Sequence, residues 1–201
     1  MKLRLNIAVG SLLVCGLLSA APPTCGTGSL ASYIALGAEG CTFDGNVFAN
    51  FTYSAKSSGG ASFIGADQIT VVPIFLAPET TRFNFSAPWS VSSQQSQDSV
   101  IGYTIVLPCG DTRTAQLDLS LGSTQIGGII GSAEVDESTN VGKLNVFTRC
   151  TEVCQTKAND SLNFNPVSVL LVADHVSLKG GNSSASLKEF AAQLNLCYLC
   201  P

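Results

Sequence analysis

The chain has 201 residues, of which 45% are hydrophobic and 12% are charged, and its formal net charge is -4. This apolar, charge-poor composition argues against a disordered chain, and the negative charge argues against nucleic acid as a partner. The length suits one domain whose core is large enough to stand without metals or many disulfides.

The N-terminus has the pattern of a secretory signal peptide. Lys2 and Arg4 form a positive n-region, and residues 5–18 form an apolar segment too short to remain across a bilayer. Ser19-Ala20-Ala21 supplies the small residues that signal cleavage requires. Lipoprotein processing at Cys15 is the alternative. We predict a signal peptide over 1–21.

The rest of the chain, 22–201, is predicted to be a single domain of a secreted protein, either extracellular or periplasmic. It contains no later run of 18 or more apolar residues. We therefore expect no stable membrane span in the mature chain.

The first element after the signal peptide is a predicted short helix over Ser29–Gly37, where apolar residues recur at helical spacing and Gly37 supplies a stop. From Val47 the apolar period changes to two, which predicts a strand with Val47, Ala49, Phe51 and Tyr53 on one face. Ser57-Ser58-Gly59-Gly60 is predicted to be a turn that joins two neighbouring antiparallel strands.

Further short segments have strand patterns and are separated by turn-rich sequence. They are 69–75, 82–85, 99–107, 114–121, 129–134, 142–147 and 167–178. Pro73 places the first of them at a sheet edge or a bulge. So many strands with little helix between them predict an all-β fold, an antiparallel β-sandwich with a short N-terminal helix.

The C-terminal region has a different pattern. Ser186-x-x-Glu189 resembles a capping box, and Leu187, Phe190 and Leu194 follow it at helical spacing. A short C-terminal helix is the corresponding prediction.

Seven cysteines remain after signal cleavage, and an exported protein is expected to pair most of them. Cys25 and Cys41 flank the short helix, whose Gly37 stop lets the chain turn back, so we predict that they form a disulfide. A distant partner for Cys41, such as Cys109, is the alternative. We expect Cys109 to pair with Cys150, or with Cys154.

Other chemistry is weakly supported by the sequence. A zinc site would need the thiolates of Cys150, Cys154, Cys197 and Cys200, and an oxidising compartment favours disulfides instead. His175 follows Asp174, but no Gly-x-Ser-x-Gly elbow accompanies the pair, so a hydrolase is the least favoured hypothesis.

The acidic residues and the sequons are similarly unspecific. Glu134, Asp136 and Glu137 lack the pattern of a calcium loop and suggest a solvated strand end. Four Asn-x-Ser/Thr sequons begin at Asn50, Asn84, Asn159 and Asn182. We expect no cofactor, no metal and no catalytic residue.

Aromatic residues are the side chains that would stack on sugar rings. Phe83 and Phe85 share one face of a strand, which favours burial in the core. Trp89 and Tyr103 are the candidates for glycan stacking.

Several stretches together resemble a family of secreted bacterial proteins, found in acidobacteria and related organisms and often carrying a PEP-CTERM sorting tail. They are residues 29–37, 40–43, 48–53, 90–103 and 180–185. The resemblance implies export and offers no established catalytic or ligand residue. After Phe190 those proteins usually continue to Val-Pro-Glu-Pro, an apolar helix and a basic cluster, whereas this chain ends Leu196-Cys197-Tyr198-Leu199-Cys200-Pro201.

Two functions follow from these observations. The first is a non-enzymatic envelope or extracellular-matrix protein, with polysaccharide or envelope components as partners. The alternative is a carbohydrate-binding module that uses exposed aromatic residues, Trp89 or Tyr103, as its stacking platform.

Overall fold

The computed structural model describes residues 21–107, 114–165 and 167–197, with only the backbone of Cys197. The predicted signal peptide and Cys109 therefore lie outside the described residues, apart from Ala21. No helix in the described ranges is long and apolar enough to cross a membrane.

The described chain contains one α-helix, a short 3-10 helix and fourteen strands. In chain order they are β1 (Gly28–Ser29), α1 (Leu30–Ala35), β2 (Cys41–Phe43), β3 (Asn46–Ser58), the 3-10 helix (Ala66–Gln68), β4 (Thr70–Ala77), β5 (Thr80–Val91), β6 (Ser96–Val106), β7 (Thr114–Leu121), β8 (Thr124–Ile126), β9 (Ile130–Thr139), β10 (Lys143–Thr151), β11 (Val153–Lys157), β12 (Asn159–Phe164), β13 (Val169–Lys179) and β14 (Ala185–Cys197).

These strands form two seven-stranded antiparallel sheets, so the fold is the predicted β-sandwich. The first sheet has the order β11-β10-β9-β13-β6-β3-β2, and the second has the order β1-β4-β5-β14-β7-β12 with β8 paired to β14. Pro73 lies on β4, beyond the two residues that pair with β1, so its missing N–H faces a free edge as predicted.

Alternation of apolar and polar residues explains why both sheets bury one face. In β5 the side chains of Phe83, Phe85 and Trp89 point inward, while those of Arg82 and Asn84 lie on the outer face. The buried faces of the two sheets meet in one hydrophobic core.

Aromatic rings form a continuous chain through this core. In order they are Tyr33, Phe51, Tyr103, Phe85, Phe190 and Trp89, with adjacent ring centroids 5.0 to 6.0 Å apart. Such pairs add to the free energy of apolar burial, so the chain of rings ties both sheets and α1 together.

The N-terminal segment has the expected helix and disulfide. The Ser29 hydroxyl accepts a hydrogen bond from the Ser32 N–H at 3.2 Å, which caps the start of α1. Gly37 has a φ of 60° and ends the turn after the helix. The Cys25–Cys41 disulfide is present, with Cα atoms 4.9 Å apart, and fixes both flanks of the helix.

Two predictions about β3 are wrong: that the turn after it joins two neighbouring strands, and that its residues alternate regularly between two faces. The turn containing Gly59 and Gly60 follows β3, but β3 pairs only with β2 and β6, and the next strand, β4, belongs to the other sheet. Within β3 a bulge between Ala49 and Thr52, where Asn50 has a φ of 55°, interrupts the alternation. Phe48 therefore lies inside with Phe51, instead of opposite to it.

The predicted C-terminal helix is also wrong. The segment is β14, which lies between β5 and β7 and is hydrogen-bonded to both. A register shift between Leu187 and Glu189 puts Leu187, Phe190 and Leu194 inside. Pairing on both sides outweighs the local helical signal, as tertiary context commonly does.

Candidate functional site

The outer face of the second sheet carries a row of polar side chains across four neighbouring strands. Gln193 on β14 lies opposite Arg82 on β5 and opposite Asp118 on β7. Asp118 in turn lies opposite Ser161 on β12. Since adjacent strands are about 4.8 Å apart, this row spans about 14 Å.

A second row runs parallel to the first, two residues further along each strand. Ala191 lies opposite Asn84 and Ser120, and Ser120 lies opposite Asn159. Gln116 and Asn195, a pair on β7 and β14, border the first row on its other side. We call the whole set the polar platform: Arg82, Asn84, Gln116, Asp118, Ser120, Asn159, Ser161, Ala191, Gln193 and Asn195.

Hydrogen bonds hold the first row in one arrangement. The guanidinium of Arg82 donates from Nε and Nη2 to Gln193 Oε1 at 3.0 and 2.8 Å. Gln193 Nε2 donates to Asn195 Oδ1 at 2.8 Å and more weakly to Asp118 Oδ2 at 3.4 Å. The platform side chains therefore lose little conformational freedom when a ligand binds.

Asp118 is the carboxylate at the centre of this network. Its Oδ1 accepts from Gln116 Nε2 at 2.8 Å, and its Oδ2 accepts from Asn195 Nδ2 at 2.5 Å. Asp118 therefore holds the side-chain amides of Gln116 and Asn195 in place.

The platform forms a depression in the surface, and the small residue Ala191 lies at its base. A cavity of about 430 Å³ is lined by Arg82, Asp118, Ser161 and Gln193 among others. A smaller cavity of about 90 Å³ adjoins it, sharing Arg82, with Ala191 in its lining. Because Ala191 carries only a methyl group, the taller polar side chains stand around it.

An ion pair marks one side of the larger cavity. Lys157 Nζ lies 2.7 Å from Asp160 Oδ2, which also accepts from the Asn145 backbone N–H at 2.9 Å. Burial acts to raise the pKa of Asp160, but these hydrogen bonds outweigh it and lower the pKa below its usual value. Asp160 and Lys157 therefore balance each other in charge, as Asp118 and Arg82 do.

The platform presents amide and hydroxyl groups to solvent. The charges of Arg82 and Lys157 are balanced by those of Asp118 and Asp160. Asn84 Oδ1, next to the smaller cavity, is buried without a hydrogen-bond partner. Hydroxyl groups both donate and accept, so a polyhydroxylated, uncharged ligand matches this surface.

The predicted stacking residues are not exposed, which corrects the proposed use of aromatic side chains. Trp89 is 1% exposed and its indole N–H donates to Ser99 Oγ at 3.3 Å. Tyr103 is 5% exposed and stacks on Phe51. Both rings face the core because they occupy inward positions of β5 and β6, so neither can stack on a glycan.

Asp174 and His175, the pair considered for the least favoured hypothesis of a hydrolase, lie on opposite faces of β13. Asp174 points into the core, whereas His175 Nε2 lies 3.1 Å from Asp98 Oδ1 on the outer face of the first sheet. Consecutive residues of a strand face opposite sides. Asp174 and His175 therefore do not form a catalytic dyad.

The acidic run on β9 is likewise divided between two faces. Glu134 and Asp136 lie outside, where both accept hydrogen bonds from Asn145 Nδ2. Glu137 is 1% exposed and lies in the core. The expectation of a solvated strand end is wrong for Glu137.

The structure pairs Cys150 with Cys154, so the predicted Cys109–Cys150 disulfide is wrong. These two residues lie directly opposite each other in the β10–β11 hairpin, with Cα atoms 4.0 Å apart. The bond also removes both thiolates from the four-cysteine zinc site considered above.

Comparison with known proteins gives only distant structural likenesses. No family model and no curated protein matches the chain. TmCBM61, solved in complex with β-1,4-galactotriose, is 9% identical at a TM-score of 0.28 over 69% of this chain and 86% of that chain. The family 11 carbohydrate-binding module from Clostridium thermocellum, in complex with a β-1,3-1,4-mixed-linked tetrasaccharide, is 12% identical at 0.24 over 73% and 89%.

A third likeness is the enzymatically active domain of bacteriophage CBA120 tailspike protein 4, which is 14% identical at a TM-score of 0.29. It covers 71% of this chain and 19% of that chain. At these TM-scores the likenesses assign no function to this chain.

Sequence reasoning did not find the polar platform. Its residues lie on strands that are far apart in the chain: Arg82, Asp118 and Gln193 are brought together only by the order β5-β14-β7. A local signal was present, because Gln116 and Asp118 alternate with buried residues of β7. That alternation shows which residues point outward and leaves the neighbouring strands unknown.

Proposed function

We propose that the protein is an exported, non-catalytic protein that binds a neutral polysaccharide on its polar platform. The observation that carries this proposal is the network joining Arg82, Gln193, Asp118 and their amide neighbours across β5, β14 and β7. Such a network presents preorganised donors and acceptors to sugar hydroxyls.

Charge supports a neutral ligand over an acidic one. Arg82 and Asp118 balance each other, and the chain as a whole has a net charge of -4. An acidic polysaccharide would be repelled by the protein's overall field. A neutral glycan meets no such barrier.

The platform supports binding and not bond cleavage. Glycoside hydrolysis by the common mechanisms uses two carboxyl groups, one of them held protonated. Asp118 is the single carboxyl group among the platform residues, and amide donors from Gln116 and Asn195 occupy both of its oxygens.

Export is supported by the two disulfides, since such bonds persist in oxidising compartments. The signal peptide, the envelope setting and the relation to PEP-CTERM-associated proteins stay predictions from the sequence. Mass spectrometry of the exported fraction would show whether the N-terminus is at Ala21 or Pro22, as the signal pattern predicts.

Affinity electrophoresis tests the proposed binding. The purified protein is run through gels containing galactan, mixed-linkage β-glucan, xylan or mannan, with alginate as an acidic comparison. We expect retardation by at least one neutral polymer. The Arg82→Ala/Gln193→Ala variant is expected to bind at least tenfold more weakly, since it removes the centre of the network.

Arg149→Ala is the matched control, because this half-exposed arginine lies on the outer face of the first sheet beside Glu134. It is expected to keep full binding. Retardation by none of the neutral polymers, or equal retardation of the folded platform variant, would contradict the proposal.

A further inference from the structure

Two carboxyl groups lie side by side in the core of the sandwich. Glu137 on β9 is directly opposite Asp174 on β13, and both strands are central in the first sheet. Glu137 is 1% exposed and Asp174 is 0% exposed. By distance and angle none of their four carboxyl oxygens accepts a hydrogen bond, although Glu137 and the Tyr103 hydroxyl lie close enough to Asp174 to act on its pKa.

The neighbouring strands offer these carboxyl groups no positive charge. Leu144 on β10 lies opposite Glu137, and Ile101 on β6 lies opposite Asp174. Among the described residues, the titratable groups that act on the pair are Tyr103 on β6 and Asp118 on β7, besides the two carboxyls themselves. The inward residues of β14, including Phe190 and Leu194, are apolar.

Such a pair is costly to ionise. Burial raises the pKa of Asp174 well above its usual value, and the charge of Glu137 raises it further. Burial also raises the pKa of Glu137, to about 7, and the charge of Asp118 acts in the same direction. At mildly acidic pH both groups are therefore protonated and neutral inside the fold.

A bound cation is the other way to compensate two buried carboxylates. With the Tyr103 hydroxyl, the site offers at most five side-chain oxygens, whereas calcium takes 6 to 8. Leu144 and Ile101 beside it add no side-chain oxygen. The donor set therefore suits protons better than a calcium ion.

We propose that the Glu137–Asp174 pair makes this sandwich an acid-stabilised fold, closed while both carboxyls hold protons and loosened when the first proton leaves. The loosening begins between β9 and β13, beneath β14 of the opposite sheet. An exported protein of this kind would be most rigid in an acidic medium.

The direction of the pH effect follows from proton uptake on folding. An unfolded Glu or Asp side chain has a pKa near 4, so the folded state binds more protons than the unfolded state above that pH. The folding equilibrium constant is at its highest below about pH 4. It then falls as the pH rises through the pKa values of the folded pair, by up to tenfold per pH unit for each proton.

Urea unfolding between pH 5 and pH 8 tests this proposal, with the fluorescence of Trp89, the single tryptophan, as the signal. We expect the folding equilibrium constant of the wild type to be at least tenfold lower at pH 8 than at pH 5. Glu137→Gln is expected to reduce that ratio, because it removes one of the two acids and the charge that adds to the raised pKa of Asp174. The double variant Glu137→Gln/Asp174→Asn is expected to reduce it to less than threefold, because both buried acids are then gone.

Asp136→Asn is the matched control, since it removes a carboxyl from the same strand on the outer face. It is expected to keep the full pH dependence. A wild-type constant that is flat or rises from pH 5 to pH 8 would overturn the proposal, and so would recovery of the alkaline loss by millimolar calcium.

Infrared spectroscopy of the folded wild-type protein keeps the test decisive if Glu137→Gln does not fold. We expect the band of a buried protonated carboxyl group at pH 5.5, and its loss as the pH is raised to 9. Absence of that band at pH 5.5 would show that the pair is already ionised and would refute the inference.

Discussion

Arg82 Nε and Nη2 both donate to Gln193 Oε1, so a cation on β5 and an amide on β14 act as one unit. The two residues are 111 positions apart in the sequence. Their pairing orients the Gln193 amide nitrogen toward Asn195 and Asp118. Disturbing either residue should therefore disturb the polar platform as a whole.

A double-mutant cycle would measure this coupling. Arg82→Ala and Gln193→Ala are each expected to weaken polysaccharide binding, and the double variant should be little worse than either single variant, because each change already breaks the shared contact. We expect a coupling free energy of about 1 kcal/mol, measured by isothermal titration with the retarding polymer. Strictly additive losses would show that the two side chains act independently.

Trp89→Ala is expected to destabilise the fold by about 3 to 5 kcal/mol. The ring is fully buried against Phe190, and its removal leaves both a cavity and the Ser99 hydroxyl without its indole donor. Thermal unfolding followed by circular dichroism would measure the loss. Where the variant remains folded, polysaccharide binding should be unchanged.

Phe63→Ala supplies the comparison for Trp89, because Phe63 is 64% exposed. We expect a change of less than about 0.5 kcal/mol, as for most surface substitutions. Equal destabilisation by the two variants would contradict the assignment of Trp89 to the core.

The two disulfides should differ in their contribution to stability. Cys25–Cys41 spans 16 positions, and its removal as Cys25→Ser/Cys41→Ser should cost about 3 kcal/mol. The six-residue helix between these cysteines is too short to be stable alone, which adds to its dependence on the bond. Urea unfolding of the oxidised and substituted proteins would measure this cost.

Cys150–Cys154 spans only 4 positions, so Cys150→Ser/Cys154→Ser should cost about 1 kcal/mol less than loss of the first bond. Non-reducing peptide mapping should recover both bonds in the native protein. An alkylated free thiol at Cys25 or Cys154 would contradict these pairings.

Alkaline titration should show tyrosines that resist ionisation. Burial raises the pKa of Tyr33 to about 12, and its hydroxyl donates to the Gly26 carbonyl at 2.7 Å. A phenol whose pKa is raised by folding stabilises the folded state below its unfolded pKa of about 10, and that contribution is lost as the pH rises through 12.

Ultraviolet absorbance of tyrosinate, recorded against pH, checks this prediction. Tyr33→Phe should remove one late-titrating group and lose about 1 kcal/mol at neutral pH with the hydrogen bond. Ionisation of Tyr33 near pH 10 in the folded protein would contradict its buried position.

The C-terminal segment shows where local sequence patterns fail. Ser186 and Glu189 have the spacing of a capping box, and yet both lie in β14, hydrogen-bonded between β5 and β7. The strand is the better solution because partners on both sides satisfy its backbone groups and its apolar residues complete the core. The sequence of this segment alone does not show which strands will pair with it.

The alternation of apolar and polar residues by itself determined the strands and the burial of Phe83 and Phe85, because a period of two specifies which side of a strand is apolar. The number of such strands predicted the β-sandwich, and the missing N–H of Pro73 predicted a sheet edge or a bulge. The export signal and the spacing around the short helix predicted the Cys25–Cys41 disulfide, and the structure decided against the alternative of a distant partner for Cys41. The predicted strand 82–85 ended before Trp89, whereas β5 continues to Val91 with Trp89 on the same inward face. Only the tertiary structure decided that Glu137 meets Asp174 and that the polar platform exists. Each of these depends on which strands become neighbours, and strand order is set by packing between residues far apart in the chain, which no local pattern encodes.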